Sequence, residues 1–190
     1  MNKRRILVLV VFPVLLAAVP AFGQQNNAAA GAIINHYAAR NFIAGSIPRA
    51  DMDQILQAGI KAPSAGNRQP WFFTVVQNQD LAKRIVRDNV DGNVLIVISA
   101  SGDGKTNGGA ILDCALAAEN IYLAAQALGY GSRIYTGPMD ALNRDLKAEL
   151  SLPGGHSAVV LVRVGRVQPG VDAVSAASSR KAPDALVRYK

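Results

Sequence analysis

The stretch Ala62-Pro63-Ser64-Ala65-Gly66-Asn67-Arg68-Gln69-Pro70-Trp71 decides the interpretation of this chain. It follows a strongly periodic segment and leads directly into the apolar run Phe72-Phe73-Thr74-Val75-Val76, which predicts a polar loop that enters a buried strand. Its two prolines fix their own φ and restrict Ala62 and Gln69 to extended geometry, whereas Gly66 permits a turn. We therefore expect a stiff loop.

Three side chains of this loop, those of Ser64, Asn67 and Gln69, both donate and accept hydrogen bonds. Such groups suit the polar edge of a flat heteroaromatic ring better than they suit acid or base chemistry. Loops of this composition are also common as plain connectors. The loop residues alone therefore leave a binding loop and a structural connector open.

Residues 1–23 have the pattern of a secretory signal. Lys3-Arg4-Arg5 precedes an apolar segment from Ile6 to Val19, and Ala21-Phe22-Gly23 offers a cleavage site. The apolar segment is shorter than a membrane span needs, so we expect no membrane attachment after cleavage. The pattern predicts a periplasmic or secreted protein, exported by the general route, although the paired arginines also fit a loose twin-arginine signal.

The remaining residues, 24–190, suffice for one domain with a sizeable core, which ends in a polar arm at 166–190. The chain has 20 Lys and Arg against 13 Asp and Glu, but three of these cations lie in the signal and the others are scattered. This balance favours an anionic ligand over a nucleic-acid groove. Cys114, the single cysteine, is predicted to pack in the core, and two histidines with one cysteine argue against a metal cluster.

Apolar spacing predicts that helices and strands alternate along the chain. The predicted helices cover 26–40, 52–60, 79–87, 110–128 and 139–150, and the predicted strands cover 72–77, 94–100, 133–135 and 158–164. This order indicates a mixed α/β or α+β domain. Ala32, Ile33 and Tyr37 are available to its core. Helix 110–128 has almost no polar face, which predicts burial all round, in the core or against a second subunit.

Five segments carry a resemblance in their order and spacing: Arg40-Asn41-Phe42, Ile55-Leu56, the loop from Ala62 to Trp71, the helix from Asp113 to Ala125, and Leu128-Gly129-Tyr130-Gly131-Ser132. Together they resemble the nitroreductase family of flavin enzymes over nearly all of residues 30–190. The resemblance implies an α+β fold with a mixed sheet flanked by helices, built as an intertwined homodimer that binds FMN in two sites at the subunit interface. It also implies hydride transfer through the flavin N5, from a reduced nicotinamide or other reductant to a small acceptor such as a nitroaromatic or a quinone.

The resemblance further implies a set of FMN-binding residues and no dedicated catalytic acid or base. The loop side chains would meet the polar edge of the isoalloxazine ring, the Gly131-Ser132 backbone would approach the ring, and the cations would lie near the phosphate. The implied residues are His36, Arg40, Ser64, Asn67, Gln69, Gly131, Ser132, Arg180 and Lys181.

One segment departs from the family pattern. Family members normally read Arg-Arg-Ser-x-Arg where this chain has His36-Tyr37-Ala38-Ala39-Arg40, so that only Arg40 survives. Protonated His36 can replace part of the lost charge. Each lost hydrogen bond to a charged group would cost about 1.5–3 kcal/mol, or about tenfold or more in affinity. A second interpretation therefore stays open: an exported, non-enzymatic binding protein on the same fold with weakened or lost flavin binding.

The segment Ser99–Thr106 resembles a phosphate-binding P-loop, except that Ser99 stands where the pattern requires glycine. A P-loop enzyme also needs a strand that ends in an acidic residue to hold magnesium. The last apolar strand of this chain instead ends in Arg163 and Gly165. We therefore favour the oxidoreductase over a nucleotide hydrolase.

Overall fold

A computed structural model describes residues 29–104, 107–169 and 179–190. The predicted signal at 1–23 and residues 170–178 of the predicted arm lie outside the described residues. The helices are α1 (Arg49–Ile60), α2 (Gln79–Ile85), α3 (Gly108–Ala127) and α4 (Met139–Asp145). The strands are β1 (Phe42–Ile43), β2 (Phe72–Val76), β3 (Val94–Ser101), β4 (Gly131–Tyr135) and β5 (His156–Val167). Within the described residues, no helix has the length and apolarity to cross a membrane.

The strands form one sheet in which β3 and β5 are central, β2 lies beside β3, and both β4 and β1 lie beside β5. Every strand pair within the described residues is antiparallel, where the resemblance implied a mixed sheet. Among the described strands β2 pairs with β3 alone, so it lies at an edge there, and Phe72 is 44% exposed. Only Val76 of β2 is buried, so the expectation of a fully buried strand after the loop is wrong for its first four residues.

Helices cover both faces of the sheet, as expected for an α+β domain. Alternate residues of β3 point to opposite faces: Ile96 and Ile98 pack in the core under α1 and α3, while Leu95 and Val97 pack in the core under α2 and α4. The amphipathic face predicted at 139–150 is buried in these cores. In the face predicted at 52–60, Met52, Ile55 and Gly59 are buried, whereas Ile60 is 42% exposed.

Helix α1 packs antiparallel to α3 along its length. Near the start of α1, Asp51 accepts a 2.5 Å hydrogen bond from the Tyr130 hydroxyl, which follows the end of α3. Near the end of α1, a Cβ on Gly59 would lie 2.7 Å from Ile121 Cγ1, so the two helices approach closely there. The chain therefore leaves α1 beside the second half of α3, and the Ala62–Trp71 loop then runs to its first half, where the Ala65 amide bonds Asp113.

Three of the predicted helices differ from the structure. The helix predicted at 139–150 ends at Asp145, and turns follow it. The described helical segment at 29–34 stops well before residue 40, because the amide of Tyr37 donates to the Gln126 side chain and that of Ala39 donates to the Ser132 carbonyl. Ala32 and Ile33 are exposed and not in the core. Helix α3 buries only part of its surface in the single chain: its exposed side chains include Leu112 and Leu116, at 62% and 37%.

Candidate functional site

The Ala62–Trp71 loop is held in a strained conformation. Gly66, Asn67 and Gln69 all have positive φ, at 59°, 55° and 48°. The prediction that Pro70 keeps Gln69 extended is wrong, because a hydrogen-bond network overrides it. The Gln69 amide donates to Ser64 Oγ at 3.0 Å, and Gln69 Nε2 donates to Asn67 Oδ1 at 3.0 Å. Positive φ outside glycine costs about 1–3 kcal/mol and tends to mark functional sites.

Asp113 of α3 anchors this loop from below. Its Oδ1 accepts the Ala65 amide at 3.1 Å, and the side chain is only 2% exposed. Its other oxygen, Oδ2, is buried without a hydrogen-bond partner. The family resemblance includes Asp113 but implies no role for its side chain. A carboxylate in the otherwise apolar first half of this helix is the sequence signal for such a role, since a buried charge requires a partner.

We call Ser64, Asn67, Gln69 and their anchor Asp113 the loop group. The Ser64 hydroxyl accepts from the Gln69 backbone amide, and the Gln69 side chain donates to the Asn67 side chain, within a loop that lies at the surface. Their amide groups retain further donors and acceptors that point to no described partner. The structure thus brings the three predicted ring-edge residues together, on a short and internally braced segment.

A second group forms around Gly131 and Ser132, where β4 begins. Ser132 is fully buried: its hydroxyl donates to the Tyr122 carbonyl at 2.7 Å and accepts from Gln126 Nε2 at 2.9 Å. The Ser132 carbonyl accepts the Ala39 amide at 3.0 Å. A Cβ on Gly131 would lie 2.8 Å from the Ala39 Cβ, so only glycine allows this approach. The segment before Arg40 therefore lies directly on the predicted flavin-facing backbone.

Of the predicted phosphate-binding cations, His36 and Arg40 lie on the segment that is bonded to this second group. The His36 ring packs edge-on against Tyr122 with centroids 5.4 Å apart, and its Nδ1 is bonded to the Ile33 carbonyl. Burial raises the pKa of Tyr122, while Gln126 and the positive charge of Arg180 act in the opposite direction, which places Arg180 near this hydroxyl. Arg40 and Lys181 are exposed. We call His36, Arg40 and Arg180, with Gly131 and Ser132, the Gly131 group; no contact of Lys181 with this group is observed among the described residues.

The two groups lie toward opposite ends of α3. Asp113 supports the loop group and Gln126 supports the Gly131 group, and at 1.5 Å of rise per residue they lie about 20 Å apart along the helix axis. One chain therefore does not bring all nine predicted residues into one site. It presents one half of the predicted site at each end of the helix.

Two other sequence features have structural roles or lie partly outside the described residues. Cys114 is a free, fully buried thiol, which confirms the prediction of core packing; burial raises its pKa to about 12. The P-loop-like segment ends before α3, whose N-terminus is capped by the Asn107 side chain at the Ala110 amide. Lys105 and Thr106 of that segment lie outside the described residues. Among the described residues, no cluster of three or more metal-ligating side chains occurs.

Comparison with known proteins decides the family. The family model described as "Nitroreductase family" matches residues 33–93 and 90–166. The chain belongs to the nitroreductase family. A protein of Archaeoglobus fulgidus with the provisional name NADH dehydrogenase/NAD(P)H nitroreductase is 33% identical over 150 residues, which are 74% of this chain and 85% of that protein. The predicted enzyme class, a nitroreductase-family oxidoreductase, is confirmed at this level.

Solved structures confirm the fold. A nitroreductase with bound FMN from Desulfitobacterium hafniense superposes with a TM-score of 0.68 at 23% identity, over 85% of this chain and 97% of that chain. A nitroreductase with bound FMN from Bacteroides fragilis gives a TM-score of 0.63 at 24% identity, over 80% and 97%. At these identities the likeness is one of fold, and it confirms the predicted nitroreductase-like α+β architecture.

Proposed function

We propose that this chain is an FMN-dependent oxidoreductase that passes reducing equivalents from a reduced nicotinamide or another reductant to a small acceptor such as a nitroaromatic or a quinone. The observation that carries the proposal is the loop group: Asn67 and Gln69 hold strained backbone conformations at the surface, and a buried carboxylate fixes the loop to α3. A connector gains nothing from such strain, whereas a binding loop gains a preorganised set of amide groups.

The described residues fit FMN chemically. Exposed amide groups that both donate and accept match the alternating donors and acceptors at the polar edge of a flavin ring. Exposed cations at Arg40 and Lys181 match a phosphate. When bound, FMN supplies the hydride-transfer chemistry. The chain's own residues orient the ring edge and neutralise the phosphate, and neither task requires a protein acid or base.

A second copy of the chain completes the proposed site. Each end of α3 carries one half of the predicted residues, and the exposed apolar side chains Leu112 and Leu116 lie on the same helix. A homodimer that covers these side chains would remove apolar surface from water, which is the dominant favourable contribution in association. Such a dimer can also bring the loop group of one subunit to the Gly131 group of the other.

The test is FMN uptake by the mature chain. The protein from residue 24 onward is purified, its visible spectrum is recorded with and without added FMN, and the FMN-loaded form is titrated with dithionite. We expect a flavin spectrum that bleaches on reduction, together with a change in FMN fluorescence on binding. A colourless protein that neither takes up FMN nor alters its fluorescence would refute the proposal.

One observation favours the rival, a non-enzymatic binding protein. His36 is engaged by the Ile33 carbonyl and by the Tyr122 ring, so it is not free to replace a phosphate-binding arginine. Restoring the family pattern with His36→Arg and Ala38→Ser together should therefore tighten FMN binding about tenfold or more. Asn35→Arg is the matched control, because it adds the same charge one residue earlier, outside the pattern. Equal gains in both variants would indicate general attraction and contradict the proposed role of this segment.

We also propose that the protein works outside the cytoplasm, on the basis of the signal pattern at residues 1–23. Reduced nicotinamides are cytoplasmic, so the donor there would be another reductant. Replacing Arg4 and Arg5 by lysine separates the export routes: undiminished export indicates the general route with FMN acquired outside, whereas trapped precursor indicates loading before export. Retention of the unchanged precursor in the cytoplasm would contradict the location.

A further inference from the structure

Arg163 is a buried cation in the segment Ala158–Val164 of β5, which is otherwise apolar. Its side chain is 1% exposed, and its guanidinium donates to Asn93 Oδ1 and to the Asp88 carbonyl, each at 3.0 Å. The Asp88 carboxylate is 71% exposed and lies 3.4 Å away, so it compensates the charge only weakly. Apolar side chains often stabilise a core as well as a buried ion does. The reason for a guanidinium at this position therefore lies in the neighbouring groups that it contacts.

Arg163 and Asn93 both contact strand β1. The guanidinium carbon of Arg163 lies 4.0 Å from the centroid of the Phe42 ring, within cation–π distance. Asn93 Nδ2 donates to the Ile43 carbonyl at 3.2 Å. The absence of a side chain at Gly165 makes room for Asn93, since a Cβ there would lie 2.5 Å from its Nδ2. Both residues of this two-residue strand are thus fixed by one buried pair of side chains.

The same Phe42 ring contacts the Gly131 group. A Cβ on Gly131 would lie 3.3 Å from Phe42 Cε1, so the ring closes directly over this glycine. Arg40 precedes Phe42 by two residues, and the Ala39 amide is bonded to the Ser132 carbonyl. A shift of the ring would therefore move Arg40 and open the contact with Gly131.

We infer that Arg163 is a positioning residue for the phosphate side of the cofactor site. It touches no residue of that site directly and acts through Phe42 and Asn93, which fix the backbone carrying Arg40 against Gly131. The cofactor part of this inference rests on the proposed function. The positioning part concerns the chain alone and has its own measurement.

Two variants and their combination test the inference. Arg163→Lys keeps the charge but loses the planar fork that bonds Asn93 while stacking on a ring. Phe42→Leu keeps an apolar side chain but removes the ring. We expect each single variant to weaken FMN binding about tenfold, by fluorescence titration, and the double variant to be no weaker than either, because residues that act through one contact are not additive. Arg84→Lys is the control, since Arg84 bonds only the exposed Glu149 in the described structure.

Amide hydrogen exchange gives the readout independent of FMN. We expect residues 39–43 to exchange at least about tenfold faster in both single variants, while the amides of β3 keep their wild-type protection. Equal acceleration in β3 would show a general loss of stability and overturn the positioning role, and so would unchanged exchange at 39–43. Wild-type protein that binds no FMN refutes the proposed function, and exchange still decides whether Arg163 positions β1. If wild-type protein binds FMN and Arg163→Lys binds it equally tightly, the positioning inference is overturned and the proposed function stands.

Discussion

The anchor between Asp113 and the loop gives the sharpest test of the proposed site. Asp113 has two oxygens with different roles: Oδ1 accepts the Ala65 amide at 3.1 Å, and Oδ2 is buried without a partner. Asp113→Ala removes both the acceptor and the charge. Asp113→Asn keeps an acceptor for Ala65, removes the charge and puts an amide NH2 in place of Oδ2. The difference between the two variants therefore isolates the hydrogen bond that fixes the loop.

The size of this difference follows from the structure. In Asp113→Ala the Ala65 amide loses its partner, which costs about 1–3 kcal/mol, although removal of an incompletely paired buried charge returns part of that cost. Asp113→Asn also removes the buried charge, but it keeps the hydrogen bond to the Ala65 amide. Once released, the loop can relax from positive φ at Asn67 and Gln69, where each residue stores about 1–3 kcal/mol. We expect Asp113→Ala to bind FMN about tenfold more weakly than Asp113→Asn.

The assay combines two titrations under identical salt and pH. FMN fluorescence gives the affinity, and urea unfolding followed by circular dichroism gives the free energy of unfolding. We expect Asp113→Asn to match or exceed the wild-type stability and to bind FMN within a few-fold of it. Equal FMN affinities for the alanine and asparagine variants would refute the anchoring argument, and so would weaker binding by the asparagine variant.

Two further predictions concern neighbouring residues. Gln69→Gly removes the backbone strain together with the bond to Asn67, and the two effects on the free energy of unfolding offset to within about 1 kcal/mol. We expect FMN affinity to fall at least about tenfold. If stability and FMN affinity fall together in the same titrations, the role of Gln69 is structural. Burial first, and the charge of Asp113 second, raise the pKa of the Cys114 thiol from 9.0 to about 12. The protonated thiol's contribution to stability is fully present below about pH 9 and is lost as the pH rises toward 12. Between these pH values the free energy of unfolding therefore falls more steeply with pH for wild type than for Cys114→Ala. Equal slopes against pH, from urea titrations, would contradict this prediction.

The features that the sequence predicts well are local ones. The spacing of Met52 and Ile55 specifies the buried face of α1, and the continuous apolar run at 94–100 specifies a strand; both predictions are confirmed. The loop was also found from its composition. Its backbone conformation was not, because the steric preference of a residue before proline is an average that the Ser64 hydroxyl overrides at Gln69.

The features that the sequence does not predict depend on distant partners. The bond from Ala65 to Asp113 spans 48 residues, and the bond from Arg163 to Asn93 spans 70. Neither pairing leaves a local pattern, so Arg163 reads only as a polar exception in an apolar strand. The same cause ends the helix predicted at 26–40, since the amides of Tyr37 and Ala39 find partners beyond residue 120. Intrinsic propensity favours a helix up to residue 40, but tertiary hydrogen bonds to the amides of Tyr37 and Ala39 keep this part of the chain out of the helix.

The separation of the two half-sites along α3 predicts complementation between subunits. If each FMN site combines the loop group of one chain with the Gly131 group of the other, Asn67→Ala damages the loop half and Arg40→Ala damages the other half. Each variant alone then has two damaged sites per dimer. A mixed dimer has one doubly damaged site and one intact site. Random re-association of equal amounts after co-unfolding should restore full affinity at about a quarter of all sites, measured by FMN titration against each variant refolded alone. Failure to recover any high-affinity sites, with mixed dimers demonstrated by differently tagged chains, would place both groups in the same subunit's site and refute the split arrangement.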